Sequence, residues 1–181
     1  MAESIGFRPL AERDLPLLSA WLEAPHVRRW WPEDSDLASL AARYGPVLAG
    51  TDPTEVCVIE LGGEPIGLIQ RYRFADNPDW VAALAAAGTP ANAAGIDYLI
   101  GRGELTGRGL GSAAIAGFVA ETWERYPEVA AVVVDVQVAN RRSWRALERV
   151  GFRRVWTGTL DSDDPSDAGR NHVYLLARPH A

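Results

Sequence analysis

Residues 97–119 read DYLIGRGELTGRGLGSAAIAGFV. The segment Ala93 to Arg102 predicts a strand that leads into a glycine loop. A polar loop follows that carries Gly101, Gly103, Gly107, Gly109 and Gly111, and then an amphipathic helix from Ser112 to Tyr126. Where the loop meets the helix, side chains are nearly absent. A ligand can therefore come close to unpaired N–H groups at the positive end of a helix, a setting suited to phosphate. Arg102 and Arg108 flank the turn with positive charge. The other reading is a structural turn with glycine caps and no ligand. Spacing removes two phosphate-binding alternatives. No Gly-Lys-Ser/Thr triplet opens the helix, as a P-loop requires, and the loop falls past mid-chain rather than in an early βαβ unit.

Downstream, Val129 to Val138 is apolar and β-branched, which predicts a central strand buried on both faces. Asn140 to Val150 predicts a short helix, capped by Asn140 and ended by Gly151. Phe152–Leu160 and His172–Ala177 predict late strands joined by an acidic loop. Upstream, residues 4–10 read as a first strand. Helical patterns follow over Glu12–Glu23 and Asp36–Leu48, with the compact aromatic segment VRRWWP between them. Glu55–Leu61 and Pro65–Phe74 form a hairpin across Gly62–Gly63. Asp76–Pro90 is an insertion with a helical piece around Trp80 to Ala87. No repeat or linker interrupts the chain, so residues 1–181 are expected to form a single domain of α+β class with a mixed sheet.

A hydrophobic share of 48% over 181 residues is ample for one core. One cysteine, Cys57, excludes an internal disulfide framework and a cysteine zinc site. His26, His172 and His180 are scattered without metal-ligand spacing, so no metal is expected. Glu3 and Arg8 break any signal-peptide run, and no apolar stretch is long enough to span a bilayer. The expectation is a cytoplasmic protein that engages no membrane. A net charge of −6 argues against nucleic acid and for cationic or neutral partners. Seven tryptophans favour a ligand pocket.

GRGLGSAAIAGF, followed some thirty residues later by ANRRSWRALERVGF, resembles the GNAT acetyltransferases. The resemblance implies a three-layer α/β/α arrangement, with a mixed, mostly antiparallel sheet flanked by helices, and acetyl-CoA as cosubstrate. It places the coenzyme on Leu99, Ile100, Arg102, Thr106, Gly107, Arg108, Gly109, Leu110, Gly111, Ser112 and Asn140. Thr106 stands where the family often has Gln or Arg. Leu147 stands where it often has the tyrosine that protonates the leaving thiolate.

A narrower likeness runs through WLEAPHVRRWW, ARYGPVLAG, GEPIGLIQRYRF, GIDYLIG and VDVQVAN. These segments are similar to the aminoglycoside 6′-N-acetyltransferases, which confer antibiotic resistance. This implies Asp97 as general base or amine anchor, and a substrate site from Trp31 with Trp30, Tyr44, Asp79, Asp135 and Asp167 in the acidic loop. The chemistry agrees. A polyammonium sugar needs separated carboxylates and flat apolar walls, and an acid between Ile96 and Tyr98 within a strand is locally unfavourable. Direct acetyl transfer in a ternary complex is expected, by a monomer or homodimer. Two alternatives stay open: a GNAT that acetylates a protein N-terminus or a siderophore lysine, and a non-catalytic acyl-CoA sensor.

Overall fold

A computed structural model of the protein describes residues 4–179; Glu3 and His180 lie outside them. The first strand, β1 (Ile5–Pro9), leads through a 3-10 turn into α1 (Leu15–Glu23). Leu15, Leu18, Trp21 and Leu22 recur at helical spacing and all turn inward. Pro25 starts a further short helix, α2 (Pro25–Arg28), which runs into the first two residues of the compact aromatic segment. Helix α3 (Leu37–Leu48) begins one residue later than its pattern. Asp36 is its N-cap, and its carboxylate accepts from the N–H groups of Ala38 at 3.1 Å and Ser39 at 3.0 Å.

Strands β2 (Glu55–Leu61) and β3 (Glu64–Arg73) form the expected hairpin. Gly62 and Gly63 have φ of 61° and 88°, the paired left-handed residues that a two-residue loop needs. The insertion holds α4 (Pro78–Ala83) and a 3-10 turn. Strand β4 (Ala93–Ile100) runs into the glycine loop, which feeds α5 (Leu110–Arg125) two residues earlier than the pattern suggested. The chain then follows β5 (Ala131–Gln137), α6 (Arg141–Val150), β6 (Arg153–Thr159) and β7 (Arg170–Ala177).

The seven strands form one sheet in the order β1-β2-β3-β4-β5-β7-β6. Every neighbouring pair is antiparallel except β4 and β5. Helices cover both faces. Val132, Val134 and Val136 of β5 pack toward α5 and α6 with Ile115, Phe118 and Leu147. Ala131 and Val133 face the opposite side with Phe74, Leu84 and Val173. Burial on both faces explains why β5 reads as an unbroken apolar run. A third cluster joins α1 and α3 to Val56, Val58, Leu68 and Leu99. Among the described residues, no helix is long and apolar enough to cross a membrane.

Candidate active site

The site starts from the one parallel pair. β4 and β5 hold register only at Ala93↔Ala131, Ala94↔Val132 and Gly95↔Val133. Beyond Gly95 they separate, while β4 stays bonded to β3 as far as Gly67↔Ile100. The β5-facing edge of β4 from Asp97 to Ile100 is thus left open inside the molecule. His26 Nε2 sits 2.9 Å from the Ile100 carbonyl and satisfies it as a donor. Backbone groups in such a gap need partners, so the opening is suited to an extended ligand with its own amides.

The glycine loop closes one end of the gap. Gly107 and Gly109 have φ of 78° and 83°. The first intrahelical bond of α5 runs from the Ala113 N–H to the Gly109 carbonyl at 3.0 Å, which leaves the N–H groups of Leu110, Gly111 and Ser112 without helical acceptors. A Cβ at Gly107, Gly109 or Gly111 would meet nothing of the surrounding protein within 4 Å, so space is open beside this turn. That space is a groove of about 770 Å³ lined by Leu99, Ile100, Thr106, Gly107, Gly109, Gly111, Ser112 and Asn140. Arg142, Arg145 and Arg149 line its α6 wall at helical spacing. None of the three is in an ion pair among the described residues. The side chains of Arg102, Arg108 and Leu110 are not on the wall: Arg102 pairs with Glu104 at 2.8 Å, and Leu110 packs into the core.

The other side of the gap opens into a cavity of about 360 Å³. Its wall carries Glu33, Asp97, Asp135, Asp164 and Asp167, which come from four segments of the chain. Trp30, Trp31, Tyr72 and Trp80 supply flat apolar surface. Gly95 makes room for Tyr72, since a Cβ there would lie 2.3 Å from the ring. Arg43 reaches in to pair with Glu33 at 2.6 Å. Both chambers share Trp30, Trp31, Tyr98, Asn140 and Ser143, so these residues stand at the junction.

Crowding of acids in a desolvated site disfavours their charged forms. Asp97 is pushed up to about 6, chiefly by burial, with the Asp167, Asp164 and Glu33 charges adding to it; Gln70 opposes this by donating from Nε2 to Asp97 Oδ2 at 2.8 Å. Asp135 is held well above the ordinary carboxylate range by burial and by Asp167 and Asp97. Asp167 is raised by burial, against hydrogen bonds from Ser162 and Asp135. The charge of Asp167 opposes ionisation of Asp135, and the two titrate as a coupled pair. Glu33 is raised by burial, against the Arg43 charge. Positive charge placed in the cavity would offset this cost.

Comparison with known proteins then decides the family. The acetyltransferase (GNAT) domain profile matches residues 11–160. The chain belongs to the GNAT acetyltransferases. It is 30% identical over 162 residues to an aminoglycoside N(6′)-acetyltransferase type 1 of Klebsiella pneumoniae, covering 87% of this chain and 78% of that one. An aminoglycoside N(6′)-acetyltransferase type 1 of Serratia marcescens matches equally. The solved structure of aminoglycoside acetyltransferase AAC(6′)-Ib in complex with coenzyme A superposes with a TM-score of 0.81 at 29% identity, over 97% of this chain and 95% of that one. The same enzyme with coenzyme A and kanamycin superposes with a TM-score of 0.80.

Acetyl-CoA is the cosubstrate of this family's reaction, and the groove of this GNAT acetyltransferase fits it. Free helix-terminal N–H groups and three unpaired arginines suit phosphates, and the open edge of β4 suits the pantetheine amides. Of the residues inferred for the acceptor, Trp31, Asp97, Asp135 and Asp167 meet in the acidic cavity. Tyr44 does not reach its wall: it is buried behind Glu33, with its hydroxyl 3.5 Å from Glu33 Oε2. Asp79 is exposed on α4, and its neighbours Asn77 and Trp80 line the cavity instead. Leu147 is fully buried in the core. Sequence reasoning missed Glu33, Gln70, Tyr72 and Ser143. Gln70 had a usable signal, because the hairpin and the next strand predict the Gln70↔Asp97 pairing. Glu33 had none, since it sits in an irregular loop.

Proposed function

We propose that this acetyltransferase moves the acetyl group of acetyl-CoA to the 6′-amine of an aminoglycoside, by direct transfer with both substrates bound. One observation carries the reading: a cavity with five acids and four aromatic faces joins the coenzyme groove at Tyr98, Asn140 and Ser143. Several ammonium groups on flat sugar rings match that wall. The similarity to enzymes named for 6′-N-acetylation, over most of the chain, supports the same acceptor.

In this scheme Asp97 accepts the ammonium proton, directly or through water. Its displacement to about 6 leaves it mostly ionised at neutral pH, yet a stronger base than an ordinary carboxylate. Asp135 and Asp167 hold other amines of the drug. The freed amine attacks the thioester carbonyl, whose oxygen is met by an N–H on the open edge of β4. Asn140, which caps α6 by accepting from the Ser143 N–H at 3.3 Å, keeps its amide N–H donors for the pantetheine arm. Cys57 is buried and pushed up to about 11 by desolvation, so no covalent acetyl-enzyme is involved.

The test is acetylation by the purified protein with acetyl-CoA and kanamycin, followed by thiol release and by NMR assignment of the acetylated nitrogen. The 6′ position is expected. Acetylation of a peptide N-terminus in preference to any aminoglycoside would reassign the acceptor. Coenzyme binding without turnover of any amine would make the protein a sensor.

A further inference from the structure

The reaction leaves one proton unplaced. When the carbon–sulfur bond breaks, coenzyme A departs as a thiolate, and the leaving sulfur must lie where the groove meets the acidic cavity. The side chain in register with Gly151–Phe152 that could have supplied a proton is Leu147, which has none to give.

The chain has five tyrosines, and four are excluded by position. Tyr174 is buried with its hydroxyl 2.9 Å from Glu148 Oε1. Tyr126 is bonded to Glu55 far from the gap. Tyr44 lies behind Glu33. Tyr72 lines only the acidic cavity. Tyr98 alone lines both chambers. It sits on the open stretch of β4, and its side chain faces α6 while Asp97 faces the other way, as alternation along a strand requires. Its hydroxyl is 2.7 Å from Ser143 Oγ, in the first turn of α6. Tyr98 and Ser143 are the only hydroxyl-bearing residues that the two chambers share.

We propose that Tyr98 is the acid that protonates the departing thiolate, with Ser143 as the positioning residue that aims its hydroxyl. This rests on the coenzyme reading of the groove. The neutral amine adds to the carbonyl carbon. As the C–S bond breaks, its electron pair goes to sulfur, the Tyr98 O–H bond breaks, and an S–H bond forms. The attacking nitrogen gives up its surplus proton, which returns through water to the tyrosinate. The first proton of the ammonium leaves through Asp97 to solvent. Ammonium and acetyl thioester become amide, thiol and one proton. The positive end of α6 steadies both the tyrosinate and the thiolate. Asp97 and Asp135 are the acids that act on Tyr98, and Arg142 and Arg145 are the cations of α6 on the groove wall.

The full-length Tyr98→Phe variant provides two readouts. In steady-state acetylation, kcat falls roughly 10²-fold, with KM for both substrates within about threefold of the parent. In calorimetry, coenzyme A and its desulfo analogue are compared near neutral pH and near pH ~9.5, where a free thiol ionises. For the parent, the preference for coenzyme A grows roughly tenfold or more with pH, and for Tyr98→Phe it stays flat. Ser143→Ala lies between. Parent-like kcat in Tyr98→Phe, or a thiol preference that climbs with pH as steeply as the parent's, overturns the assignment. Should the parent fail to acetylate kanamycin, the acceptor reading falls, and the coenzyme titration still decides Tyr98.

Discussion

Replacing Asp97 with Asn separates its cost to the fold from its use in the reaction. The amide matches the carboxylate in shape and can still accept the 2.8 Å hydrogen bond from Gln70. It removes a charge that burial and three neighbouring acids disfavour, as the rise from 3.8 to about 6 records. Taken in full, that displacement corresponds to about 3 kcal/mol. Asp97 is partly exposed, and screening brings the figure to about 1–2 kcal/mol. The sign follows from the direction. Because the folded-state value lies above the unfolded one, the cost is absent below about pH 4, grows toward pH 6 and is complete above it. Asp97→Asn is thus more stable than the parent at pH ~7, by roughly 3–6 °C in Tm for a chain of this size, and equal to it near pH ~4. Thermal unfolding at the two pH values measures this directly. Activity moves the other way. The parent's kcat/KM rises with pH through about 6, and the variant loses that limb along with roughly 10²–10³ of its rate. A variant no more stable than the parent at neutral pH refutes the account of a charge strained by burial. A variant that keeps full activity removes Asp97 as the base.

An ammonium group arriving beside Asp135 and Asp167, both raised by burial, should favour their ionised forms and so expel protons. Calorimetry of aminoglycoside binding in buffers of differing ionisation enthalpy at pH ~6.5 should show proton release, and Asp135→Asn should reduce it. Asp97, Asp164 and Glu33 with its partner Arg43 face the pair, and no release in the parent counts against this account. Gly111→Val tests the diphosphate cradle. A Cβ there meets nothing of the surrounding protein within 4 Å, so the variant should fold yet lose the thermal stabilisation that coenzyme A gives. Retained stabilisation would place the phosphates elsewhere.

Local order was legible in the chain because local rules governed it. The glycine loop, the Gly62–Gly63 hairpin, the Asn140 cap and the unbroken apolar run of β5 each announce themselves over a few residues. The mixed sheet follows from their order. The family likeness rested on two of the same stretches, so the fold and the acetyl donor were readable together. What the sequence could not rank was the acids. Asp79 and Asp164 look alike on the page, yet one is exposed on α4 and the other lines the cavity.

The sequence by itself determined which backbone is bare and which strands are buried, since those depend on side chains a residue or a turn apart. Tertiary structure alone decided which distant carboxylates would crowd one another. Only the parting of β4 from β5 beyond Gly95 brings Glu33, Asp97, Asp135 and Asp167 around one space and sets Tyr98 where two chambers meet. Desolvation and charge repulsion act through distance in space, and a linear pattern carries no record of that distance.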